Sequence, residues 1–324
     1  MVDQTGRKWI AREIEKLDPH KDFAEIVKLS VIYRANDAFM DLVYAITFPN
    51  FITGNDGARA VTRYGRGKLI RHMERRMDDT SRHILIWCEY GPDHEYTKRS
   101  IESINQLHKF WSKHHKEGFD HDEDYTYVIC YEVTLFHRLM QRVGAKGFSD
   151  SEKIASYEFY RRIAAHFRNP LTDAPIEFPV KSFDECMDYV QRYENIKRAP
   201  NKHKDFIEEY ALGSFGKRHF PPLLRPMSRA LIHSLTPEGT LANLRTKPVS
   251  PLGKAISRFA FRAFLWLGEN AIPDPKVSLP ERIRERDGLS EEQYIAAVAR
   301  GMDTQPKAEI GNAEQGQAAP ITAH

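Results

Sequence analysis

The run D-E-D-Y-T-Y-V-I-C-Y-E-V-T-L-F-H-R-L-M-Q, from Asp122 to Gln141, decides the fold class. Acidic residues open it, at the end where a helix dipole favours negative charge. Apolar and aromatic side chains then recur on every side. Tyr125, Val128, Ile129, Val133, Phe136 and Met140 form one stripe, and Tyr127, Cys130, Tyr131, Leu135 and Leu139 cover much of the rest. A helix that is apolar nearly all round belongs at the centre of a helical core. The expectation is therefore a mostly α protein in one domain.

Immediately upstream, Gly91-Pro92 breaks the chain before a second helix that carries I-N-Q-L-H (Ile104 to His108). Ile101, Ile104, His108, Trp111 and His115 share one face at helical spacing, so His108 points where the apolar residues point. A buried imidazole needs a partner, either a hydrogen bond or a metal. The pattern leaves both open. The run His114 to Asp124 is rich in metal-ligand types, but its spacing matches no closed metal motif.

Further upstream stands R-M-D-D-T, Arg76 to Thr80. Arg76 and Thr80 are four apart and share a face. Two readings apply to Arg76: a surface arginine next to Asp78 and Asp79, or a pocket-wall arginine that forks to carboxylates or phosphates. The Y-G-R-G-K run before it is no phosphate loop, because Leu69 follows the lysine and the upstream glycine is missing.

The flanks read as further helices. Trp9, Ile10, Ile14 and Leu17 predict an amphipathic helix within residues 1–30, broken at Asp18-Pro19, and a second is expected from Asp22 to about Ile46. Ser149 to Glu152 and Ser182 to Glu185 fit the capping box, so helices should begin near Asp150 and Phe183. Asn201 is expected to cap a helix through Tyr210, closed by Gly213 and Gly216. Pro221-Pro222 should start a helical segment through Leu235, and Ser250-Pro251 one through Leu267. The ambiguous stretch is I-L-I-W-C, Ile84 to Cys88, short enough for a strand. From about Asp303 the chain is short of large apolar residues, which predicts a domain over 1–302 and a disordered tail over 303–324.

Composition narrows the functions. The formal charge of +3 is too small to argue for nucleic acid. Three scattered cysteines offer neither a zinc site nor C-x-x-C-H haem attachment, and they suit a reducing cytosol. The N-terminus has no apolar signal core, so the expected location is cytoplasmic. Phe259 to Gly268 is too short and too interrupted by Arg262 to span a bilayer. It reads as a buried core helix or, less commonly, as a membrane-surface contact. H-E-x-x-H, E-x-x-H and G-x-S-x-G are all absent.

With these residues on the page, the chain resembles the family of the rubber oxygenase (latex clearing protein) and the MpaB-type oxygenase. The resemblance runs from about Asp37 to Pro273. It rests on R-x-x-x-T (Arg76, Thr80), N-x-x-H (Asn105, His108), the tyrosine-rich apolar helix, S-D-S-E-K-I-A-S-Y-E-F-Y and P-V-K-S-F-D-E-C, in that order. It implies a globin-like all-α domain around a non-covalent haem b. His108 matches the family's proximal iron ligand, and Arg76 and Thr80 match its haem-side Arg and Thr. The implied reaction is O2-dependent cleavage of a C=C bond in a small hydrophobic, isoprenoid-like substrate. One departure is clear: Asp79 stands where the rubber-cleaving branch has a lysine, and no counterpart of that branch's acidic base can be placed. The rival readings are a non-catalytic helical protein that binds haem or another hydrophobic ligand, and an interaction module that docks an acidic partner through the basic segment from Arg59 to Arg82.

Overall fold

The computed structural model describes residues 2–303, and the expected tail lies outside them from Thr304 onward. Its helices are, in order, α1 (Trp9–Ile14), α2 (Phe23–Val31), α3 (Asp37–Thr47), α4 (Asn55–Thr62), α5 (Lys68–Arg71), α6 (Met73–Tyr90), α7 (Glu95–Ser112), α8 (Asp122–Arg142) and α9 (Asp150–Ala164). There follow α10 (Phe183–Glu194), α11 (Lys204–Phe206), α12 (Ser214–His219), α13 (Arg225–Leu235), α14 (Glu238–Leu244), α15 (Pro251–Asn270), α16 (Leu279–Asp287) and α17 (Glu291–Asp303). Among the described residues there is no strand, only an isolated bridge between Arg168 and Pro175. The architecture is all-α in one domain, as the Asp122–Gln141 run implied.

Local chemistry explains where the helices begin. Ser149 and Glu152 form the full capping box of α9, and Ser182 accepts from the Glu185 amide at the start of α10. Ser250 accepts from Gly253 N ahead of α15, with proline in the first turn. The expected Asp22–Ile46 helix is instead two. Asn36 accepts from the Phe39 amide at 2.9 Å and starts α3 afresh, because a well-placed Asn cap competes with continuing the helix. The N-terminal helix is also shorter than expected, Trp9–Ile14.

Asn201 stands two residues before His203, the cap position of α11, and its side-chain oxygen accepts from the His203 amide at 2.9 Å. Its amide donates to the Ile52 and Thr53 carbonyls, both at 3.0 Å, and so ties this loop to the turn after α3. The segment beyond it passes through a π-helical stretch, Ile207–Leu212, and continues into α12 past Gly213. Gly213 permits this: a Cβ there would lie 2.4 Å from the Glu209 carbonyl oxygen, which the wider turn brings inward.

I-L-I-W-C is helical and lies in α6. Leu85, Ile86, Trp87 and Cys88 are all buried, because α2, α3, α7, α16 and α17 all pack on this helix. Burial on several sides removes the alternation that would have marked a half-buried element. The α6–α7 pair is one side of the core. On the other, α8 packs mainly on α9 and α10. By contrast α15, read as a core helix, buries only Phe261.

Candidate functional site

The residues of R-M-D-D-T point in three directions. Asp78 accepts from Arg218 on α12 at 2.7 Å. Asp79 pairs with Lys68 on α5. Arg76 pairs with neither aspartate. Its Nε donates to the Tyr44 hydroxyl at 3.1 Å, and its guanidinium lies 4.6 Å over the Phe48 ring. The two terminal nitrogens of Arg76 make no hydrogen bond or ion pair with a described residue, and Thr80, one turn on, has no hydrogen-bond partner among them either. Arg76 is half-buried, and both aspartates are engaged elsewhere.

α6 and α7 form an antiparallel hairpin about Gly91, whose φ is +84°. Ser100 on α7 meets His83 Nδ1 at 2.6 Å and accepts from Trp87 Nε1 at 2.9 Å. Two turns further along α7, His108 lies near the Arg76 charge. Asn105 anchors this part of α7: its amide donates to the His166 carbonyl at 3.0 Å, and its oxygen accepts from Arg168 N at 3.2 Å. The ring of His108 sits between Phe119 and Tyr125, at centroid distances of 5.6 and 6.3 Å.

His108 is held neutral. Burial drives its pKa down to about 4, and the nearby Arg76 charge adds to the effect. Its Nδ1 is buried without a hydrogen-bond partner, and the ring makes no hydrogen bond through either nitrogen to the described residues. The core-histidine reading required a backbone carbonyl as partner, and none is there.

Glu132 on α8 is the second group of interest. It lies seven residues beyond Tyr125 on the same face, about 10 Å along the axis. Burial alone pushes its carboxyl up to about 7. It has neither an ion pair nor a hydrogen bond among the described residues. Its neighbours are neutral: burial raises the Cys88 thiol to about 12 and the Tyr160 hydroxyl well above its usual range.

His108 and Glu132 are deep enough for burial to move their pKa values strongly, yet both keep part of their surface uncovered. The same half-covered state runs along one stripe of each helix: Arg76, Thr80 and Ile84 on α6, Ile104 and His108 on α7, and Tyr125, Val128, Glu132 and Phe136 on α8. These stripes are mostly apolar. Arg76 is close enough to act on the His108 imidazole, the His108 and Tyr125 rings are in contact, and Glu132 lies further along α8. A surface hollow of about 540 Å³ is on the outward face of α7 beside Glu95, Lys98, Arg99 and Glu102. That hollow is charged and open, and none of these groups lines it.

The donor set suits a haem in one respect and departs from the usual arrangement in another. A haem iron needs one protein ligand, and His108 offers a neutral imidazole with no competing bond. Arg76 offers free N–H groups for a carboxylate, and the stripes are mostly apolar. The departure is Nδ1, which usually donates to a carbonyl or carboxylate when the other nitrogen binds metal. No cluster of three or more His, Cys, Asp or Glu side chains suited to a metal ion occurs among the described residues, so any metal here would rest on His108 alone. No protein-family model matches the chain, and no curated protein matches it.

Sequence reasoning named His108, Arg76 and Thr80 as candidates; the Arg76 charge acts on His108, and Thr80 lies one turn beyond Arg76 on α6. It missed Glu132. The available signal was a lone carboxylate inside a helix apolar nearly all round, where an acid has no solvated face.

Proposed function

We propose that this chain is a haem b-dependent oxygenase that uses O2 to cleave a C=C bond in a hydrophobic, isoprenoid-like substrate. The observation that carries the reading is the His108 imidazole, neutral, without a protein hydrogen-bond partner and near the Arg76 charge. His108 would hold the iron, and Arg76 would pair with the propionates, as a guanidinium does with planar carboxylates. The haem, when bound, supplies the O2 chemistry that no protein side chain offers.

The chain's own residues do the rest. Tyr44 and Phe48 fix the Arg76 side chain from behind. Asn105 fixes α7, and with it the height of His108. The apolar stripes of α7 and α8 exclude water and favour an apolar substrate. Thr80 brings a free hydroxyl one turn from Arg76. Glu132, neutral or charged near pH 7, is able to give or accept a proton.

A second reading, a non-catalytic haem or hydrophobic-ligand carrier, is favoured by Asp79, which is turned away towards Lys68 and so leaves the motif without an unpaired charge at the position before Thr80. Purified protein reconstituted with haem should show a Soret band of a histidine-ligated haem. His108→Ala should lose or shift it, and Arg76→Gln should weaken haem binding while keeping the band position. A folded wild type that stays colourless sinks both readings. A histidine-ligated haem that consumes no O2 with isoprenoid alkenes leaves the carrier.

A further inference from the structure

The face of α15 turned away from the protein is apolar. Leu252, Ile256, Phe259, Ala263 and Trp266 recur at i, i+4, i+7, i+11 and i+14, which is one stripe. It is about 21 Å long at 1.5 Å per residue. The side chains are open to solvent: Leu252 is 71 % exposed, Ile256 56 %, Phe259 75 % and Trp266 58 %. The opposite face, with Phe261, holds the helix to the protein, packed against α13. Leu223 and Met227, 88 % and 59 % exposed, precede Ala230, which lies against Gly253 near the start of α15. An apolar surface of this size is uncommon on a protein that works in water alone.

The charges around the stripe identify its occupant. Arg262 is exposed on one flank of the stripe, with half-buried Arg258 one turn before it and nearer the protein, neither with an ion pair among the described residues, and Arg225 is exposed beside Leu224. The only acid on α15 is Glu269, at its far end. A second copy related by a two-fold axis would set these cations against their own kind. The sequence after Asp303 offers only Ile310 and Ile321 as large apolar residues, too few to cover the stripe. No helix among the described residues is long and apolar enough to cross a bilayer, so α15 would lie on a membrane, not through it. We infer that α15, with the Leu223–Met227 turn, docks the protein on an anionic lipid surface. The stripe enters the boundary between headgroups and acyl chains, and Arg262 and Arg225 meet the lipid phosphates and carboxylates.

The test is flotation of the full chain with phosphatidylcholine vesicles, with and without phosphatidylserine, in parallel with its mass in solution by light scattering. The wild type should float, more strongly with phosphatidylserine and less at high salt. Phe259→Ser with Trp266→Ser should reduce the bound fraction about tenfold or more. Arg225→Gln with Arg262→Gln should remove the preference for phosphatidylserine. All four side chains are exposed, so the variants should keep the wild-type circular dichroism and melting temperature. A wild type that does not float overturns the proposal. So does a dimer dissociated by the Phe259/Trp266 pair, which would assign the stripe to a second copy.

Discussion

Glu132→Gln isolates the least expected feature of the interior, an acid with no partner. Glutamine keeps the shape and removes the charge. Raising a carboxyl from 4.5 to about 7 disfavours its ionised form by roughly 3 kcal/mol, at about 1.36 kcal/mol per pH unit. Between these two values the folded chain keeps the proton while the unfolded chain has released it. Raising the pH through that window therefore favours the unfolded chain, and stability falls until about pH 7 and then levels off. The variant lacks this loss. Urea unfolding of both proteins from about pH 4.5 to pH 8 should give similar stabilities at the acid end, and a variant more stable by roughly 3 kcal/mol above pH 7. Cys88 and Tyr160, the groups facing Glu132, stay neutral throughout, because burial raises both. His108 and His83, pushed down to about 4 and about 3 by burial, add an acid limb of the opposite sign. Both proteins share it, so it cancels in the difference. A stability difference that does not change with pH would refute the reasoning, since it would mean that the carboxylate is solvated or paired.

Two further outcomes concern the frame that holds the site. Gly213→Ala would put a Cβ 2.4 Å from the Glu209 carbonyl oxygen; the π-helical stretch must shift, which should destabilise the protein by about 1–3 kcal/mol in urea unfolding. Arg284 grips Glu89 with both terminal nitrogens, at 2.7 and 2.8 Å, with the side chains only 16 % and 10 % exposed. Arg284→Met strands that carboxylate and should cost about 3 kcal/mol, and the double variant with Glu89→Leu should recover much of the loss.

The frame was legible wherever a single local rule acts. Ser149 and Ser182 start their helices because a hydroxyl three residues ahead of an acid satisfies the first amides whatever the rest of the chain does. The inward face of α7 followed from spacing alone. Two rules acting at once defeated the reading elsewhere. Asn36 sits inside a good apolar period and still restarts the helix. Gly213 looks like a terminator, yet it is the residue that lets the turn widen and continue. α15 is apolar on two faces, and periodicity cannot say which of them meets protein. The directions taken by Asp78 and Asp79 depend on Arg218, 140 residues away in sequence from Asp78, and on Lys68. No local pattern carries that, so a surface Arg76 and a half-buried one read alike.

The unpartnered polar groups of α6, α7 and α8 argue for an occupant. Orphaned polar atoms occur elsewhere in this core, at Trp9 Nε1, Tyr294 Oη and the imidazoles of His83, His166 and His233. Here an imidazole, a guanidinium end, a threonine hydroxyl and a carboxyl occur on three helices with no hydrogen bond or ion pair to the described residues from their free atoms. Of these, His108 Nδ1 is fully buried, and leaving such a group unmade costs about 1–3 kcal/mol, where a domain has only about 5–15 kcal/mol in hand. That arrangement is economical only if a ligand returns the interactions: a ligand group for the imidazole, an anionic group for Arg76, and apolar area for the stripes of α7 and α8.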